Sequence, residues 1–343
     1  MPSLRIMSMN LENLFSPNVN FYGSHYTQAE YDAKMDWIAG IITSCQVHVA
    51  GLVELGDNAN QILADLHVRI AVQDPTGWGA FAHHHVAPPG PDGSHIHTAV
   101  LSRFPLANQG DLSGFPAGFH VDLYDDHANA WNAVPLDHFS RPVAHAQVQP
   151  PGHQAFNVFV VHLKSKRPSL AAHDNNNEPI GIARSAIKRN IEAAALRHHL
   201  DTFLVNQYDN VDAAVPTFVV GDFNDVPTSV PLENIRGPFD PTLGPAAVWS
   251  NPDKRRLLSC ARLHLKTAAY QDMLYSYVYQ ENFTLIDQVF VTQHLVSRFE
   301  RMEVYNDHVL RHREIATDTL EAQQWKSAVS DHGVVLVEFR NVL

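Results

Sequence analysis

Short apolar runs rich in Val, Ile and Phe recur along the whole chain, at residues 4–10, 48–53, 98–102, 156–162, 217–221, 285–292 and 334–340. They read as buried strands, because a strand covered on both faces loses the alternation of polar and apolar positions. Between some of them the apolar spacing turns helical. Residues 29–44 and 58–66 predict helices, and the run 182–204, dominated by Ala, Leu, Arg and Glu, predicts a longer one. Strands and helices alternate without a regular strand–helix period, and several strand pairs have hairpin spacing. That favours sheets packed face to face with helices outside. Stretches 87–94, 110–135, 168–179 and 234–252 read as loops. With neither an internal repeat nor a compositional break, residues 1–343 are expected to form a single domain whose long loops serve function.

Isolated polar residues sit at the ends of the apolar runs. The first ends at Asn10 with Glu12 close behind, VAGLVE leaves Glu54, VFVVHLKS leaves His162, and TFVVGDFND presents Asp222 and Asn224. Two runs begin with the polar group instead: Asp287 precedes QVFV, and Asp331–His332 precedes GVVLVEF. Each alone is ordinary, since an Asp or Asn after a strand is usually a turn residue and a lone His is usually a satisfied core residue. Six such sites converge on one edge of a sandwich if strand directions alternate suitably. Carboxylates and Asn offer oxygen ligands to a hard divalent cation, and two histidines with carboxylates to orient them offer acid–base chemistry near neutral pH. No Cys cluster competes for the metal.

Composition narrows the reading only slightly. Cys45 and Cys260 are the only cysteines, so no disulfide framework is implied. Neither a membrane-length apolar run nor a secretory layout at the N-terminus is present, and a cytoplasmic protein is expected. The formal net charge of −12 excludes a protein that coats nucleic acid by bulk electrostatics, but not an enzyme that neutralises phosphate locally. Basic runs stand at Lys164–Lys166–Arg167 and at Lys254–Arg255–Arg256, the second read as a solvated face. Histidines 83, 84, 85, 95 and 97 could hold a softer metal, but their spacing is irregular and a His-rich loop is the simpler reading.

The order and context of these motifs resemble the endonuclease/exonuclease/phosphatase superfamily, which includes deoxyribonuclease I. MSMNLENLF resembles its opening strand, GLVELGDNANQILADL the segment carrying the principal metal ligand, and FSRPVAHAQV the strand with a phosphate-contacting Arg. FVVHLKSKRP, GDFNDVP, YSYVYQENFTLIDQVFVTQHL and SDHGVVLVEF complete the series in the family's order, with GDFNDVP the most specific. The resemblance implies an α+β fold, a four-layer αββα sandwich of two face-packed mixed sheets flanked by helices. It implies Mg²⁺ or Mn²⁺ held by Glu54 with Asn10 and Asp331. His332 is then the catalytic His and Asp287 its orienter, Asp222 orients or deprotonates the attacking water, Asn224 and His162 contact the phosphate, and Arg141 either contacts it or forms an ion pair inside the sandwich. Two departures stand out: His97–Thr98 occupies a position where many relatives carry Gly or Asp, and no Glu before Arg103 is evident as a support for His162.

The same resemblance implies a metal-dependent phosphoric ester hydrolase, and HLKSKRP with the Arg-rich helix after it is closest to bacterial nuclease-like members. Nucleic acid is therefore the expected substrate, with Lys164, Lys166 and Arg167 as cations for flanking phosphates. The alternative is a phosphatase or phospholipase-type enzyme acting on a small phosphoester or lipid headgroup, which the acidic charge favours. A non-catalytic binding module is the third reading, and it leaves Glu54 and His332 together without a physical reason. Nothing in the sequence points to a protein partner.

Overall fold

A computed structural model describes residues 3–74, 81–91, 93, 95–208, 215–237, 256–265 and 274–343. Two six-stranded mixed sheets pack face to face. The first contains β1 (Leu4–Leu14), β2 (Val49–Leu55), β3 (His83–Val86), β4 (His97–Ser102), β15 (Phe299–Tyr305) and β16 (Val334–Phe339), in the order β15-β16-β1-β2-β4-β3. The second contains β5 (Leu106–Gly114), β8 (His138–Val148), β9 (Phe156–His162), β10 (Thr217–Asp222), β11 (Leu258–Ser259) and β14 (Asp287–Val291), in the order β11-β14-β10-β9-β8-β5. Hairpins β6 (Asp122–Asp125)–β7 (Ala130–Ala133) and β12 (Tyr277–Tyr279)–β13 (Asn282–Thr284) lie outside the sheets. Helices α1 (Gln28–Ser44) and α2 (Ala59–Gln73) cover the outer face of the first sheet, and α3 (Glu178–Tyr208) with α4 (Val230–Arg236) cover that of the second. Short helix α5 (Cys260–Leu265) packs on the core between the sheets, and α6 (Asp307–Glu314) and α7 (Leu320–Ala328) lie outside them.

Strand periodicity places the polar residues. Along β1, Leu4 and Ile6 enter the core between the sheets while Met7 and Met9 pack outward under the helices. The same alternation sends Phe156, Val158 and Val160 of β9, Phe218 and Val220 of β10, and Val289 and Val291 of β14 inward. Asn10, His162, Asp222 and Asp287 continue these inward rows by one step, at the rim where the apolar filling stops. Each sheet is built around a parallel pair, β1 with β2 and β9 with β10, whose neighbours β16 and β14 run antiparallel. Residues that end the parallel strands therefore share an edge with residues that begin the antiparallel ones. Gly51 lets the sheets meet closely, since a Cβ there would lie 2.3 Å from a Val220 methyl carbon.

The predicted strands and helices are all present, most of them longer than expected. The helix expected at 58–66 continues to Gln73 and that at 182–204 spans Glu178–Tyr208. Two loop readings are corrected. Residues 110–135 hold the end of β5 and the β6–β7 hairpin, and the His-rich stretch begins as strand β3, paired antiparallel with β4. Both errors have one cause: these are polar edge or outlying strands, held by backbone pairing rather than by an apolar row. Residues 238–252 of the last predicted loop, and Lys254 and Arg255 of the second basic run, lie outside the described residues. Among the described residues no helix is long and apolar enough to cross a membrane.

One buried group of this scaffold sets an acid limit. His48 Nδ1 accepts the backbone N–H of Arg5 at 3.1 Å, and burial, with the Arg103 and Arg5 charges, pushes its pKa down to about 3. Below the ordinary value of 6.5 the unfolded chain takes up a proton that the folded chain refuses, so stability falls as the pH drops from 6.5 towards 3. At pH 5 the difference is about 2 kcal/mol. Urea unfolding at pH 7.5 and pH 5.0 is expected to show this loss in the wild type and to show it reduced by about that amount in His48→Gln. Equal losses in the two proteins would remove His48 from the account.

Candidate active site

Glu54 is the exception to the alternation. As the residue after the inward Val53 it belongs on the outer face, but a left-handed backbone (φ 64°) and a register shift between Val53 and Leu55 swing it inward. Such a conformation in a non-glycine residue costs on the order of 1–3 kcal/mol and persists where surrounding contacts enforce it. The contacts are visible. Asn10 Nδ2 donates to Glu54 Oε1 and to Asp222 Oδ2, both at 3.2 Å, and the backbone N–H of Asn13 donates to Glu54 Oε2 at 3.0 Å. Asn10 Oδ1 is taken by the N–H of Glu12, and Ser330 Oγ donates to the Asn10 carbonyl at 2.8 Å. The amide thus bridges carboxylates of the two sheets through its nitrogen.

On the second sheet, His162 and Asp222 are register partners, as are Asp222 and Asp287. Gly221 makes this tight ladder possible: its φ is 140°, and a Cβ there would fall 1.9 Å from the Val161 carbonyl oxygen. His162 Nε2 stands 3.7 Å from both Glu54 Oε1 and Asp222 Oδ2, and its buried Nδ1 has no hydrogen-bond partner. Asp222 accepts the Asn224 N–H at 2.8 Å and its side-chain amide at 3.2 Å; that amide also donates to the Leu163 carbonyl at 3.0 Å.

His332 lies just before β16 of the first sheet and Asp287 opens β14 of the second, and they meet across the edge, His332 Nδ1 to Asp287 Oδ2, at 2.8 Å. Ser330 Oγ accepts the His332 N–H at 3.1 Å, Ser276 Oγ accepts the Asp287 N–H at 3.0 Å, and the Tyr277 ring lies 4.9 Å from the imidazole. Asp331 is half-buried, with Oδ1 3.9 Å from His332 Nε2.

The electrostatics follow from crowding. Burial and then the Asp287 carboxylate push Asp222 up to about 7, and burial with the neighbouring Glu12 carboxylate pushes Asp331 up to about 6. Burial opposes a charge on His332, yet Asp287 and Asp331 outweigh it and hold its pKa well above the usual imidazole range. Burial, reinforced by the Arg141, His332 and Lys164 charges, holds His162 well below that range, so it is a neutral ring. Four carboxylates crowd one edge with few cations to answer them. Glu54, His162 and Asp222 place ligand atoms within 4.8 Å of one another, as do Asp222, Asp287 and His332. A donor set of oxygens with one imidazole, already short of positive charge, fits a hard divalent cation.

The sequence profile of the Endonuclease/Exonuclease/phosphatase family matches residues 13–332. The chain belongs to this family. Endonuclease/exonuclease/phosphatase proteins are metal-dependent phosphoesterases, and the acidic edge described above is where this chain has the groups for such chemistry. The fold is shared with a family member from Bacteroides thetaiotaomicron (15% identity, TM-score 0.53, covering 98% of this chain and 97% of that one). It is shared equally with a truncated Caenorhabditis elegans TDP2 (10%, 0.53, 98% and 97%) and with the human Nocturnin catalytic domain with bound sulfate anion (14%, 0.50, 98% and 94%). Comparison with curated proteins gives no match.

The site residues expected from the sequence divide by position. Asn10, Glu54, His162, Asp222, Asn224, Asp287 and His332 come together, with Asp331 beside His332. Arg141 is buried on β8, and its charge reaches His162. Lys164 is half-buried at the end of β9, whereas Lys166 and Arg167 point outward, Lys166 Nζ lying 3.9 Å from Asp225. The His83–His97 stretch gathers no metal-type cluster among the described residues: His84 meets His67, and His85 meets Asp111.

One buried residue that frames the site was not anticipated. Glu192 of α3 accepts the Ser140 N–H at 2.8 Å, the Ser140 hydroxyl at 2.6 Å and the Lys164 N–H at 2.7 Å, clamping the start of β8 to the end of β9. Its signal was available, since Ser185, Arg189, Glu192, Leu196 and Leu200 form one buried helical stripe, and a carboxylate inside such a stripe calls for partners.

Proposed function

We propose that this protein is a single-domain, divalent-metal-dependent nuclease or phosphodiesterase that hydrolyses DNA or RNA by in-line attack of an activated water. The observation that carries the reading is the meeting of the Glu54–Asn10–Asp222–His162 group with the His332–Asp287 pair on one edge of the sandwich. Glu54 would hold Mg²⁺ or Mn²⁺ as principal ligand, with Asn10 aligning its carboxylate and Asp331 as a further oxygen donor nearby. A divalent cation bound there supplies Lewis-acid polarisation of a phosphoryl oxygen and offsets part of the carboxylate field.

The remaining roles belong to the chain's own groups. In its neutral form, favoured when a cation offsets the carboxylate field that otherwise raises its pKa, His332 takes the proton of the attacking water, with Asp287 fixing its tautomer. Asp222, held from both sides by Asn10 and Asn224, orients that water. Neutral His162 donates a hydrogen bond to the phosphoryl group rather than a proton, and Asn224 with Arg141 provides further donors for charge that develops on the oxygens. A second reading, a small-phosphoester hydrolase, is favoured by the acidic net charge and by the Asp225 carboxylate beside Lys166. A panel of plasmid, single-stranded DNA, RNA, bis-p-nitrophenyl phosphate and phosphomonoesters, each with Mg²⁺ or Mn²⁺, decides between them.

The loop after β9 offers a sharper comparison. Its backbone is pinned to α3, with the Ser169 N–H on the Gly181 carbonyl and Ser185 Oγ on the Arg167 carbonyl, and the Lys164 charge reaches His162. If its cations contact flanking phosphates, Lys164→Ala/Lys166→Ala/Arg167→Ala loses activity on plasmid while sparing bis-p-nitrophenyl phosphate. The salt dependence of DNA binding then falls by about 0.7–0.9 in logarithmic slope for each phosphate no longer neutralised. Equal losses on both substrates would move the assignment to the small-phosphoester reading.

A further inference from the structure

Beneath the site lies a lysine that the chemistry proposed above leaves unused. Lys34 is fully buried, on the α1 stripe formed by Tyr31, Lys34, Met35, Ile38, Ala39 and Ile42. The helix that carries it is fixed at its start by a capping box between Thr27 and Glu30. Its ammonium group donates to Tyr26 Oη at 3.0 Å, to the Glu12 carbonyl at 3.3 Å and to Glu12 Oε2 at 3.5 Å. The Tyr26 hydroxyl donates to the same carbonyl at 3.1 Å, and His312 Nε2 lies 3.2 Å from Glu12 Oε2. Both the backbone and the side chain of Glu12 are therefore held from below.

What they hold is a distortion. Glu12 and Asn13 are consecutive left-handed residues, each with φ 51°, where the β1–β2 register shifts between Asn10 and Leu14. Two such residues in succession do not persist without outside support. The distortion turns the Asn13 N–H onto Glu54 Oε2, while Asn10, just before it, takes Glu54 Oε1. Each carboxylate oxygen of Glu54 is thus fixed by one end of the bulge. The bulge also borders a cavity of about 270 Å³ lined in part by Glu12, Asn13, Tyr26 and His312.

We propose that Lys34 is a positioning residue: its buried ammonium holds the Glu12–Asn13 bulge, and through the Asn13 N–H it holds the Glu54 carboxylate in the orientation that receives the divalent cation. The inference rests on the metal reading above and deepens it. Groups that orient a metal ligand without touching the metal typically change affinity by about 10–100-fold when removed.

The experiment is calorimetric titration of the full-length protein with Mn²⁺, alongside thermal unfolding without metal. Lys34→Met is expected to raise the Mn²⁺ Kd by about 10–100-fold, and Lys34→Arg, which keeps a cation in place, to recover part of that loss. Lys34→Met leaves the Glu12 carboxylate without its buried partner, so Lys34→Met/Glu12→Gln is measured too, and it is expected to fold and still bind Mn²⁺ weakly. A lysine that only stabilised the core would lower the unfolding temperature and leave Mn²⁺ affinity untouched. Wild-type affinity in any folded variant lacking the ammonium overturns the proposal. Absence of Mn²⁺ binding by the wild type, with the fold intact, would bring down the metal reading itself and this inference with it.

Discussion

Replacing His332 with Ala is expected to lower phosphodiester turnover by about 10²–10⁴-fold, the range that a positioned proton acceptor contributes. Asp287→Asn is expected to cost a comparable factor, and the double variant little more than either alone, because the two groups act as one unit. The geometry gives the reason. The imidazole has one strong hydrogen bond, to a carboxylate that is itself fully buried, and serine hydroxyls at 276 and 330 fix the backbone on both sides of the pair. With Asn at 287 the ring loses its orientation and the strongest source of its raised basicity. The NMR titration of His332 in the metal-free protein should therefore move to lower pH in Asp287→Asn. Losses that multiply independently would show that the two groups do not work together.

The second large effect is expected at Glu54. Glu54→Gln keeps the shape of the side chain and an acceptor for the Asn13 N–H, and it removes one of the crowded negative charges. The metal-free fold should survive, because the acceptor lost to the Asn10 amide is offset by removing a charge that is among the causes pushing Asp222 up. Metal-dependent hydrolysis should fall by about 100-fold or more, because removing a direct ligand exceeds the roughly 10–100-fold seen when an outer partner is removed. Hydrolysis by the variant at the wild-type rate, or wild-type activity undiminished in excess chelator, would remove the metal from the reaction.

The legible part of this molecule is the part written by alternation. Asn10, His162, Asp222 and Asp287 announce themselves because each interrupts an inward apolar row, and polar residues at such places need a purpose. Glu54 was legible as a carboxylate ending an apolar run, but not the left-handed turn that brings it inward, which depends on contacts 41 and 44 residues away in sequence. Glu192 and Lys34 escaped notice although each lies on an apolar helical stripe, the mark of a charge that must find buried partners. The strands outside the expectation, β3 and the β6–β7 hairpin, have no inward apolar row, and backbone pairing holds them with few side-chain contacts such as Tyr124 on Trp131 and Val86 on the core.

The pairing of β1 with β16 has a consequence for how the protein is made. Ser330, which caps the Asn10 carbonyl, follows it by 320 residues, and β16 comes later still. At ordinary elongation rates β1 waits on the order of tens of seconds for this neighbour. Throughout that time an apolar strand destined for the middle of a sheet has one edge open to any other chain. A chain truncated before residue 330 would therefore keep that strand edge open and lack His332 as well.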